Sequence, residues 1–124
     1  MISAKMLNEE ATLNQHNFLS AINFVTGTAI TLKMMLFDDD LNLRYIPPST
    51  AIVSFIFNLS DGSTLTKIGV PDTDDRSMQT VSITAANSAT LIGGNIKISV
   101  DTLGNGTIIK KGVAINALTR VLDE

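Results

Sequence analysis

The sequence predicts an all-β domain, a sandwich or barrel of about seven to nine short antiparallel strands. Residues 50–59 are almost wholly apolar, carrying Ile52, Val53, Phe55, Ile56 and Phe57, and end at Ser60-Asp61-Gly62, a tight-turn signal. Residues 95–102 alternate with period two, placing Ile96, Ile98 and Val100 on one side and Lys97, Ser99 and Asp101 on the other. Turn signals recur roughly every eight to twelve residues, the spacing of an antiparallel sandwich.

Residues 1–17 read as an N-terminal arm, and residues 18–124 as a single β-sandwich domain. In the arm, Met6, Leu7, Ala11 and Leu13 stand among polar residues and permit a short amphipathic helix that orders on a neighbouring subunit. Residues 18–24 make a first strand, and Gly27 breaks the chain before residues 28–37. There Ile30, Leu32, Met34 and Leu36 occupy one side, so one face is buried and the other mixed. Asp38-Asp39-Asp40 ends that strand, because clustered carboxylates repel and Asp turns the backbone through its own side chain. Pro47-Pro48 marks a corner leading into residues 50–59, whose β-branched and Phe content predicts a strand buried on both faces.

Residues 63–70 form its hairpin partner, and residues 71–77 a polar loop. In residues 78–84, Val81 and Ile83 share one face. Thr84 is placed to cap a short helix over about residues 85–92, with Gly93-Gly94 as its stop. Asn105-Gly106 spells a hairpin turn, and residues 112–122 alternate with Val113, Ile115, Ala117, Thr119 and Val121 on one side.

The 124 residues suffice for one core. A hydrophobic share of 44%, a charged share of 17% and a mean hydropathy of +0.26 argue against disorder. The apolar runs reach only about half the roughly 20 residues of a spanning helix, so no membrane partner is expected. Lys5 is followed by Glu9 and Glu10 with no apolar stretch, which does not spell a secretory signal; synthesis and assembly in a cytoplasm are expected. With no cysteine, the fold relies on packing alone. The net charge is −3, and among nine basic residues only Lys110-Lys111 are adjacent, so no nucleic-acid partner is expected.

No constellation reaches a catalytic signature. His16 is the single histidine, with no second ligand for zinc and no placed nucleophile. Asp38 to Asp40 and Asp72, Asp74 and Asp75 are oxygen-rich, but the second run lacks the glycine and closing Glu of a calcium loop, with Ile83 at the twelfth place. Paired carboxylates for glycoside chemistry want aromatic platforms, and the chain has no Trp and one Tyr, Tyr45. Gly93-Gly94 and Gly104-Asn105-Gly106 read as turns rather than phosphate loops. The expectation is a protein that is not an enzyme, with no catalytic residue, cofactor or metal assigned.

Taken in order, a longer series of landmarks emerges. Gly27-Thr28 leads into Ile30, Leu32 and Met34, and Asp38 to Asp40 follow. Pro47-Pro48-Ser49-Thr50-Ala51 precedes Val53, Phe55 and Phe57, and then come Asp61-Gly62, Val81 to Thr84, Ala89 and Leu91 before Gly93-Gly94, Ile96, Ile98, Val100, Gly104 to Thr107, and Gly112. Over residues 25–121 this series resembles the immunoglobulin-like β-sandwich at the N-terminus of tailed-phage baseplate upper proteins, and similar domains in other phage tail and head proteins. The resemblance implies a non-enzymatic structural protein of a virion, assembled in the host cytoplasm and acting in the tail, baseplate or neck. It transfers no catalytic residue. Edge strands, an arm and little charge to protect them lead to the expectation of a homo-oligomer that docks on other virion proteins.

Subunit contacts are expected at Met6, Leu7, Leu13, Phe18, Val113, Ile115 and Val121. A capsid decoration protein on the head surface is the nearest alternative. A carbohydrate-binding module for host attachment, using Tyr45 and Phe18, is the alternative from another class.

Overall fold

The computed structural model describes residues 1–7, 18–106 and 109–121. Its strands are β1 (Ile2–Leu7), β2 (Phe18–Leu19), β3 (Ile22–Val25), β4 (Ile30–Asp38), β5 (Leu43–Arg44), β6 (Ile52–Asn58), β7 (Thr64–Ile68) and β8 (Val70–Pro71). β9 (Met78–Ile83), the single-turn helix α1 (Ala85–Ser88), β10 (Gly94–Asp101) and β11 (Ile109–Val121) follow. The protein is all-β, and its strands join one 11-stranded sheet in the order β7-β6-β10-β11-β1-β4-β9-β8, with β2, β3 and β5 attached along it.

The two ends of that path, β7 and β8, are separated in the chain by Gly69 alone, so the sheet rolls until it nearly closes as a barrel. At Gly69 the chain changes partner, from β6 to β9. Its N–H donates to the Val53 carbonyl at 2.8 Å. A Cβ there would lie 2.5 Å from Gln79 Oε1 and 2.7 Å from Phe55 Cε2, so any side chain at the crossing would require Gln79 and Phe55 to shift.

The expectation of a purely antiparallel arrangement is corrected by two parallel pairs. β11 runs parallel to β1 at Ile2↔Gly112 and to β3 at Leu118↔Ile22. Tight turns impose antiparallel pairing on consecutive strands, whereas β1 and β11 meet from opposite ends of the chain under no such constraint. A Cβ on Gly112 would fall 1.7 Å from the Ile2 carbonyl oxygen, so glycine lets these strands close.

The N-terminal arm is likewise corrected over its first residues. β1 lies inside the sheet between β4 and β11, with Ile2 and Met6 in the main core. The alternation of Ile2, Ala4 and Met6 toward one side suits a strand, and no helix forms there. The rest of the expected arm, residues 8–17 with Leu13 and His16, lies outside the described residues.

Alternation governs the core as expected in β4 (Leu32, Met34, Leu36), β9 (Val81, Ile83) and β10 (Ile96, Ile98, Val100). β6 is not buried on both faces. Val53, Phe55 and Phe57 point inward, while Ile52 is 39% exposed. Each fully buried aliphatic or aromatic side chain stabilises by about 1.5–3 kcal/mol, so the inward row dominates the energetics.

The regular alternation expected over residues 112–122 breaks at Asn116, whose φ of 52° is left-handed. Its N–H donates to Asn95 Oδ1 at 2.7 Å, beside a register shift in β10 between Gly94 and Ile96. The phase flips there: Ala114, Ala117 and Leu118 are buried, and Ile115 and Thr119 face solvent.

The Thr84 hydroxyl caps α1, accepting from the Asn87 N–H at 3.2 Å. The expected helix over 85–92 stops early because Leu91 bridges to Leu59 and the Ile92 N–H donates to the Asn58 carbonyl. The chain is thereby recaptured by the sheet.

Candidate functional site

Four adjacent strands, β7, β6, β10 and β11, send their inward residues to the core and leave the alternate residues as an outer face. Register arranges that face in rows. Thr66, Ile56, Lys97 and Val113 lie side by side; Ile68, Ser54, Ser99 and Lys111 form the next row. Ile52, Asp101 and Ile109 form the third. Ile115, outward beside Ala114, extends the surface toward the bend at Asn116.

Ile115 is 69% exposed, Ile68 65% and Ile109 49%. These side chains have stiff χ1 angles and little rotamer freedom to lose on contact. Between them stand Ser and Thr, whose hydroxyls serve either as donor or acceptor. Lys97, Lys111 and Asp101 share the same rows, so the face mixes exposed apolar, hydroxyl and charged side chains.

The rim is braced by local hydrogen bonds. At the β6–β7 turn the Asp61 carboxylate accepts from the hydroxyl and backbone N–H of Ser63, and these bonds hold its pKa below the usual carboxylate range. After β10, the Asp101 carboxylate accepts from the backbone N–H groups of Gly104 and Gly106, fixing that loop.

No protein-family model and no curated protein matches this chain. The reading of the face rests on its own residues.

Of the expected contact residues, Val113 and Ile115 stand on the face. Val121 is exposed but lies on the far arm of β11, paired with Val25 of β3. Met6 and Leu7 are removed from the contact set by burial, at 2% and 0% exposure, and Leu13 lies outside the described residues. Phe18 is exposed yet engaged: its ring meets Phe37 edge-on at 5.8 Å, and the Lys5 ammonium sits 4.9 Å and 4.8 Å above the two rings. Ile52, Ile56, Ile68 and Ile109 were not anticipated. For Ile52, Ile56 and Ile68 the signal is the second phase of residues 50–59 and 63–70, which an all-apolar run conceals; Ile109 is placed on the face only by its register with Asp101.

The polar candidates serve the fold. Asp75, buried, takes Arg44 Nη1 at 2.7 Å together with the Ser77 N–H and hydroxyl, tying β5 to the loop before β9. Asp40 pairs with the Met1 ammonium at 3.0 Å, and Asp39 accepts from the Ser3 hydroxyl. Tyr45 lies half-buried with the Lys110 ammonium 5.0 Å from its ring, and burial, then Asp38, raises its pKa. Among the described residues no three His, Cys, Asp or Glu gather to hold a metal. A cleft of about 610 Å³ opens between β3 and the start of β4, past Ile22, Phe24 and Ile30, and none of the described residues lining it titrates.

Proposed function

We propose that this chain is a non-enzymatic structural subunit of a tailed-phage particle. It belongs to the tail, baseplate or neck, and it works by associating with copies of itself and docking on neighbouring virion proteins. The observation that carries this reading is the set of exposed β-branched side chains, Ile52, Ile68, Ile109 and Ile115, on the outer face of β7, β6, β10 and β11.

The resemblance to an immunoglobulin-like sandwich of phage virion proteins supports it through the landmarks.

Mass spectrometry of particles purified from an infected host tests the assignment. The expected result is this chain on the order of tens of copies per particle, in multiples of three or six. Hundreds of copies would move it to the head surface as a decoration protein, and absence from particles would overturn the assignment. Tyr45 and Phe18, which a sugar-binding surface would use, are engaged with Lys110 and with Lys5 and Phe37. Glycan-array binding that disappears in Tyr45→Ala would favour that other class.

A further inference from the structure

We infer that the partner of this face is a second copy of the same face, related by a two-fold axis that crosses the strands above Ser99. The inference rests on the self-association reading above and specifies its geometry. It begins from the three charges on the face. On β10, Lys97 and Asp101 flank Ser99 symmetrically, two residues to either side, all three pointing outward. Lys111 stands beside Ser99 on β11.

Two sheets packed face to face with two-fold symmetry have the axis in the plane between them, and the axis direction decides what meets what. An axis along β10 sets Lys97 against Lys97 and Asp101 against Asp101, which is repulsive at both ends. An axis across the strands above Ser99 reverses each strand against its copy. Asp101 then faces Lys97 of the second copy, and the reciprocal pair forms by symmetry.

The same operation matches the apolar rows. Ile52 meets Ile56 and Ile109 meets Val113, because each pair occupies one strand on opposite sides of the Ser99 row. Ile68 meets its own copy on the axis row. The charged residues lie only about 7 Å from Ser99 along the strand. The usual rotation of about 30° between packed sheets therefore displaces them by about 3 Å, within reach of a Lys side chain.

One contact opposes the pairing. Lys111 falls on the axis row and faces its own copy, a like-charge pair. The geometry thus assigns opposite effects to the two lysines of one face: Lys97 holds the dimer and Lys111 loosens it.

Sedimentation velocity across a concentration series tests this, with circular dichroism to verify folding. Lys97→Asp is expected to weaken association at least tenfold, since it sets two carboxylates together at both ends. Asp101→Lys is expected to do the same, and an equimolar mixture of the two variants is expected to restore a mixed dimer. Lys111→Ser is expected to tighten association several-fold, although it makes an already acidic chain more negative. Asp101 also fixes the loop at Gly104 and Gly106. If Asp101→Lys does not fold, the opposite signs of Lys97→Asp and Lys111→Ser decide the matter.

Wild type that associates while both lysine variants shift the same way, or not at all, would overturn this geometry and leave self-association standing. Wild type that stays monomeric throughout would overturn both.

Discussion

The two outer faces of the sheet carry comparable apolar side chains and treat them oppositely. Outside β1, β4 and β9, Leu7, Met35 and Met78 are 0–1% exposed and form a small cluster with Phe37 packed against it. Phe18 and Lys5 complete the cover there through the paired rings and the ammonium above them. Outside β7, β6, β10 and β11, Ile52, Ile68 and Ile109 remain 39–65% exposed. The first face uses flexible Met and large Phe side chains that fold over one another; the second uses short, stiff Ile and Val side chains that cannot. Sealed apolar residues contribute to the stability of the fold, and under the proposal the unsealed ones meet a second copy.

The seam joining the two faces should be the most fragile place. Gly112→Ala puts a methyl group inside contact distance of the Ile2 carbonyl, and β1 must leave β11. A loss of about 4 kcal/mol, or failure to fold, is expected in urea denaturation. On the sealed face, Met35→Ala leaves a cavity among Leu7, Met78 and Phe37 and should cost about 2–5 kcal/mol in the same measurement. Lys5→Ala removes the cation from both rings and should cost about 1 kcal/mol, read as a lowered melting temperature. On the open face, Ile68→Asp should stay within about 0.5 kcal/mol of wild type while abolishing association, which is the reverse of the Met35 result.

The smallest effect concerns the rim of the open face. The pKa of Asp61 is lowered in the fold, so its contribution is full above the unfolded value and is lost as pH falls through the folded value. Ser63→Ala should move the Asp61 titration, followed by carboxyl-carbon NMR, back toward the ordinary range.

Much of this was readable from residue order. β4, β9 and β10 keep an uninterrupted period of two, so their inward rows followed directly. Thr84 as a cap needed only local chemistry. The parallel pairing of β1 with β11 left no local trace, because its single requirement, a side-chain-free Gly112, looks like any other glycine until Ile2 is placed beside it. The flip at Asn116 was hidden because a left-handed Asn inside a strand breaks the alternation without changing its appearance. The open face was obscured by its richness in Ile. Ile52 and Ile56 read as core beside Val53, Phe55 and Phe57, and only cross-strand register separates the phases.

The central claim is that copies meet on the open face, and the absence of native cysteine allows it to be probed directly. Thr66→Cys on β7 and Ser82→Cys on β9 place single exposed thiols on the open and the opposite face. With maleimide labelling rates measured from dilute to concentrated protein, the account predicts progressive protection at position 66 and none at position 82. Equal labelling at both positions over the whole range would contradict it.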